Sequence, residues 1–152
     1  VNSKKYSYHK SAAENLSRGI NSIADVAIYD MEPNIASHEH FFAIKDVNPD
    51  VLITLDCAGF DMLTTGKILA YNTMPCRMAH IIIDKEYKLK NELSNRMNLS
   101  MFAYFAPNYD IDELSKKYPD IPNILKYNEG LCEDEACSRQ WFEDFLKEGL
   151  LV

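Results

Sequence analysis

Residues 48 to 62 read NPDVLITLDCAGFDM. A turn signal at Asn48 and Pro49 precedes a run of β-favouring apolar side chains. The run then stops at Asp56, Cys57, a small pair, Phe60 and Asp61. This is the pattern of a buried strand that ends on a polar, glycine-bearing loop. Working outward, the same rhythm recurs. DVAIYDM (25 to 31), MAHIIID (78 to 84) and SMFAYFA (100 to 106) read as strands, and IPNILKY (121 to 127) as a last edge strand where a proline is tolerated.

Between these runs the apolar spacing turns helical. Ser11 and Glu14 have the form of a capping box, with Leu16, Ile20 and Ile23 following, so a helix is expected from about 11 to 22. SHEHFFAIKDV (37 to 47) is a second helix, with Phe41, Ile44 and Val47 on one face. LTTGKILAYNT (63 to 73) reads as a short irregular helix and KEYKLKNELSNRM (85 to 97) as a solvated one. Asp110 and Glu113 repeat the capping pattern in DIDELSKKY, and SRQWFEDFLKEGLLV (138 to 152) carries Trp141, Phe145 and Leu146 on one helical face. Strands alternating with helices at this spacing predict an α/β, Rossmann-like three-layer sandwich. Its sheet is mainly parallel, with helices on both faces. The first strand is either formed by the few residues before Ser11 or lies upstream of them.

Composition narrows the function classes. The 152 residues, 47% of them hydrophobic, suit one core, read as a Rossmann-like domain over 1 to 127 followed by an acidic linker and a helix packing on it over 128 to 152. A net charge of -7, with no concentration of Lys and Arg, argues against nucleic acid as a partner. No apolar run approaches the roughly 20 residues of a membrane helix, so no transmembrane segment and a cytoplasmic location are expected. Cys132 and Cys137 are the one close pair of four cysteines, and EDEA between them reads as separating reduced thiols rather than metal ligands. No G-x-G-x-x-G, P-loop or G-x-S-x-G motif occurs, and the five glycines, at 19, 59, 66, 130 and 149, are too scattered to cradle a phosphate.

In an open parallel sheet, ligands sit beyond the carboxyl ends of the strands, where loops diverge and helix N-termini point inward. Asp56, Gly59, Phe60 and Asp61 lie at such an end. So do Tyr8, His9 and Lys10 before the first helix, Asp30 and Glu32 after the second strand, and Asp84 and Lys85 after HIII. The carboxylates suit sugar hydroxyls or proton removal, and Gly59 permits a close backbone approach. The structural alternative has Asp56 capping the next segment, Gly59 serving a turn and Phe60 anchoring the loop. His80, inside an apolar run, reads as a core residue.

YSYHKSAAENLSRGI, FFAIKDVNPDVLITLDCAGFDM, MPCRMAHIIIDKEY and SMFAYFAPNYDIDELSKKY together resemble the N-terminal half of a GT-B glycosyltransferase, nearest the bacterial spore-maturation-type group. The resemblance covers roughly residues 6 to 127, and PDVLITLDCAGFD followed by IIIDK is its most specific part. It implies an acceptor-side domain whose partners are a carbohydrate or glycosylated acceptor and a C-terminal nucleotide-sugar domain. A sugar nucleotide would be the donor in the complete enzyme, with no cofactor or metal bound by this half. By position, the implied candidate bases are Asp56, Asp61 and His9, and the implied substrate-binding residues are Tyr8, Lys10, Gly59, Phe60 and Asp84. No second Rossmann-like half follows Tyr127, so the fragment alone is not expected to catalyse transfer. The competing expectation is a stand-alone α/β binding module whose Trp141, Phe142 and Phe145 helix docks on a partner.

Overall fold

A computed structural model describes residues 1–3, 7–31, 37–56, 76–84, 101–119, 121 and 123–150. In chain order its elements are β1 (Asn2–Ser3), α1 (Ser7–Asn21), β2 (Asp30–Met31), α2 (Ser37–Val47), β3 (Val51–Leu55), β4 (Arg77–Ile82), β5 (Met101–Phe105), α3 (Ile111–Lys117), β6 (Asn123–Lys126) and α4 (Glu135–Leu150). The expected helices over 63 to 73 and 85 to 97 lie outside the described residues.

The fold is α/β. β3, β4, β5 and β6 form an all-parallel sheet in that order, and β1 pairs with β2, also parallel. Val1 links the two ladders: its nitrogen donates to Ile53 C=O, and its carbonyl accepts from Leu55 N–H at 3.0 Å. That is the bonding of a parallel pair centred on Thr54. The strands therefore run in the spatial order β2-β1-β3-β4-β5-β6, and the chain reverses its direction of travel between β1 and β3.

Alternation along each strand sorts the side chains into two cores. Met78 and Ile82 of β4, with Ala103 and Phe105 of β5, pack with Ile44 of α2 and with Tyr118 and Ile121 beyond α3. Ala79 and Ile81, with Phe102 and Tyr104, pack with Leu16 and Ile20 of α1 and with Trp141, Phe142 and Phe145 of α4. A strand buried on both faces reads as an unbroken apolar run, which is why HIII and FAYF carry no polar alternation. Phe145 sits edge-on to Phe102 at 5.3 Å, and Trp141 edge-on to Tyr104 at 5.2 Å. The rings expected to dock on a partner are thus part of the chain's own core. Gly19 is where α1 meets α4: a Cβ there would lie 2.7 Å from Glu135 C=O and 2.8 Å from Arg139 N.

Local signals held where the chain itself supplies the partner. Asp110 caps α3 by accepting from Glu113 N–H at 3.2 Å, and α2 has the expected bounds. Two elements differ. α1 begins at Ser7, so Ser11 and Glu14 lie inside the helix and form no capping box. The strand read over 25 to 31 is reduced to Asp30–Met31, because a strand exists only beside a bonding neighbour and β1 reaches no further back along it. Val47 is 58% exposed rather than on the buried face of α2. Among the described residues no helix is long and apolar enough to cross a membrane.

Candidate functional site

The last residue of β3 is followed by Asp56, whose backbone sits in the left-handed region at φ 50. Aspartate tolerates that conformation better than most side chains, and the turn ends the strand. Its carboxylate is buried, 4% exposed, and gathers groups from two other elements. Oδ1 accepts the backbone N–H of Ile83 at 2.8 Å and of Asp84 at 3.1 Å, just beyond β4. Oδ2 accepts from His9 Nε2 at 2.9 Å and from the Tyr8 hydroxyl at 3.2 Å, both in the first turn of α1. Because a carboxylate only accepts, His9 carries its proton on Nε2 in this bond. The ring of Tyr8 stands perpendicular to that of His9, with centroids 4.8 Å apart.

The first turn of α1 has no acid of its own. Asp56 supplies one from β3, beside the end of a helix that favours negative charge. Buried donors left unmatched are costly, and this carboxylate answers the buried His9 together with three part-buried donors. Two tyrosines brace the same edge through main-chain carbonyls: Tyr109 donates to Asp84 C=O at 2.8 Å and Tyr127 to Ile82 C=O at 2.7 Å. Burial holds the Tyr127 hydroxyl well above its ordinary pKa. Burial, reinforced by the carboxylates of Asp56 and Glu133, pushes the Cys132 thiol up to about 12. Cys132 is therefore a thiol, not a thiolate nucleophile, at neutral pH.

Of the site residues expected from the sequence, Tyr8, His9, Asp56 and the main chain of Asp84 come together at this edge. Lys10 is exposed on α1, and Gly59, Phe60 and Asp61 lie outside the described residues. Asp56 is turned inward as the hub of the contacts, and His9 is fully buried, whereas Tyr8 is 43% exposed. His80 is a core residue, bonded through Nδ1 to Thr54 Oγ1 on the neighbouring strand. Sequence reasoning missed Tyr109, Tyr127 and the paired amides of Ile83 and Asp84. A hydroxyl reaching a distant carbonyl leaves no local spacing to read, although the register of β3 on β4 brings the ends of HIII and LITL side by side.

The cluster occupies the place where the strand order reverses, between β1 and β3, which is where doubly wound sheets open a crevice for ligands. It can orient an imidazole, offer a phenol to solvent and hold two successive amides fixed. Among the described residues no group of three or more His, Cys, Asp or Glu side chains is placed to hold a metal ion. Comparison with protein-family models, with curated proteins and with solved structures returns no match to this chain.

Proposed function

We propose that this chain is the acceptor-binding half of a sugar-nucleotide-dependent glycosyltransferase of the GT-B type, working in the cytoplasm of a bacterium. It receives a hydroxyl-rich polysaccharide or glycosylated protein at the carboxyl ends of β3 and β4. The sugar nucleotide binds a separate C-terminal domain, without which no transfer occurs. The observation that carries the reading is the buried bond between His9 Nε2 and Asp56 Oδ2, 2.9 Å long, at the switch point of a parallel sheet. The resemblance of PDVLITLDCAGFD and IIIDK to that enzyme group supports it.

Transfer to a hydroxyl requires a group that takes the hydroxyl proton as the new glycosidic bond forms. An imidazole oriented by a carboxylate is such a group. In this reading His9 is the base and Asp56 its positioning residue. Tyr8, the exposed member, meets the acceptor first, through its ring face and hydroxyl.

Binding tests this before turnover does. Titration of the chain with a panel of oligosaccharides, followed by amide NMR, should move the resonances of Tyr8, Ile83 and Asp84 saturably. Tyr8→Ala should weaken that binding about tenfold while leaving the fold intact, the loss of roughly 1.4 kcal/mol expected of one well-placed contact. Resonances that stay unmoved across the panel overturn the assignment.

A further inference from the structure

The carboxylate of Asp56 stands where doubly wound sheets hold the phosphate of a ligand. Such a phosphate is gripped by successive main-chain amides and by the N-terminal end of a helix, both of which carry partial positive charge. Both are present here. The amides of Ile83 and Asp84 point at Oδ1 from 2.8 and 3.1 Å. The first turn of α1, which has no acid of its own, presents His9 and Tyr8 to Oδ2 at 2.9 and 3.2 Å. The occupant is a side chain of the protein itself, delivered by β3 and only 4% exposed. The Asp56 N–H still bonds Ile81 C=O at 2.9 Å, so strand pairing continues up to the very residue whose carboxylate turns inward.

Further carboxylates surround this one. Asp84 carries its own beside the second amide. Burial first, and then the charges of Asp56 and Glu133 among others, hold the Tyr127 hydroxyl and the Cys132 thiol above their ordinary values, which places both carboxylates close by. Lys10, exposed one residue further along α1, makes none of the four bonds to Asp56. An incoming phosphate or carboxylate therefore meets donors already taken and a like charge behind them. A sugar hydroxyl is not opposed in this way, because it carries no charge and both donates and accepts.

On the reading of this edge as an acceptor site, we infer that its acceptor is a neutral or amine-bearing glycan. Asp56 is the residue that determines this: by filling the anion cradle with the chain's own charge, it turns away phosphorylated and uronic-acid-bearing glycans. Specificity of this kind is built by rejection, through like charge and the lack of a matching partner for the wrong ligand.

Two measurements test it. In the first, oligosaccharides identical in size and linkage but built from glucose, glucosamine or glucuronic acid, and their galactose counterparts, are titrated into the full chain at low salt. The amides of Tyr8, Ile83 and Asp84 report binding. The uronate of each set should bind about tenfold more weakly than the neutral sugar, as expected of one like charge in partly screened surroundings, and the amine at least as tightly as the neutral sugar. A uronate that binds as tightly as its neutral match overturns the inference and leaves the acceptor reading standing. No binding by any member overturns that reading, and the inference with it. In the second measurement, Asp56→Ala empties the cradle and formate, which carries the missing functional group, is added back. Formate should raise the Tm of the variant by about 2–4 °C more than chloride does at equal ionic strength, with no such difference in the native chain. Equal Tm values in the two salts show that the position is not an anion cradle and overturn the inference. If Asp56→Ala does not fold, the matched titration decides alone.

Discussion

The two ends of the sheet solve opposite problems with the same strands. At the carboxyl end, one carboxylate collects a histidine, a tyrosine and two amides from segments 27 to 48 residues away in sequence. At the amino end, β3 faces a groove bordered by exposed isoleucines and a valine. The first end is held by directional bonds that each require a specific partner, and the second by apolar area that is tolerant of shape. Changes at the two ends should therefore differ in size, and the difference can be measured.

The largest effect is expected at Asp56. Replacing it with Ala removes the acceptor of the buried His9 and of two main-chain amides, and leaving such donors unmatched costs about 1–3 kcal/mol each, to be read from denaturant unfolding at neutral pH. A loss below that of an ordinary surface substitution would mean that the hub bonds contribute little and the contrast between the ends is false. Next comes Gly19, on the helix that runs from His9 at one end to Ile20 at the other. Gly19→Ala drives a Cβ against main-chain atoms of α4, and overpacking of this kind costs about 1–3 kcal/mol. If both ends depend on α1, calorimetry should show a lower Tm with the transition still single.

Between the ends lies His80, whose pKa burial depresses from 6.5 to about 3. The unfolded chain then binds more protons than the native one between those values, so stability falls as pH drops below about 6.5. The slope from this group is at most about 1.4 kcal/mol per pH unit. His80→Gln should flatten the fall in a pH series of unfolding curves, whatever its effect at pH 7. The smallest effect is expected in the groove, where Ile28 is 46% exposed. Ile28→Ser should change stability by no more than about 0.5 kcal/mol, and a larger loss would show that the groove wall is already part of the core.

How much of this was legible in the sequence follows from where each signal is stored. LITL, HIII and FAYF announce strands covered on both faces, because period and composition are local properties. The meeting of Tyr8, His9, Asp56 and Asp84 on one edge followed from topology, since parallel strands place all their carboxyl ends together. The inward turn of Asp56 did not, because its partners are chosen by register across strands. The start of α1 was misplaced for a related reason: Ser11 and Glu14 carry a capping pattern, but the helix extends past them to residues whose side chains bond to Asp56. The strand over 25 to 31 was over-read because β propensity names a willing residue and not a neighbour to pair with.

The contact of α1 with α4 at Gly19, with the bond from Asn15 Nδ2 to Cys132 C=O at 3.2 Å across 117 residues, also sets an order of events during synthesis. Leu16 and Ile20 cannot be fully covered until α4 has left the ribosome. At the usual elongation rate of about 5–20 residues per second, that leaves the apolar face of an amphipathic helix waiting on the order of ten seconds. The apolar face of α1 stays open to water throughout that interval, until α4 arrives.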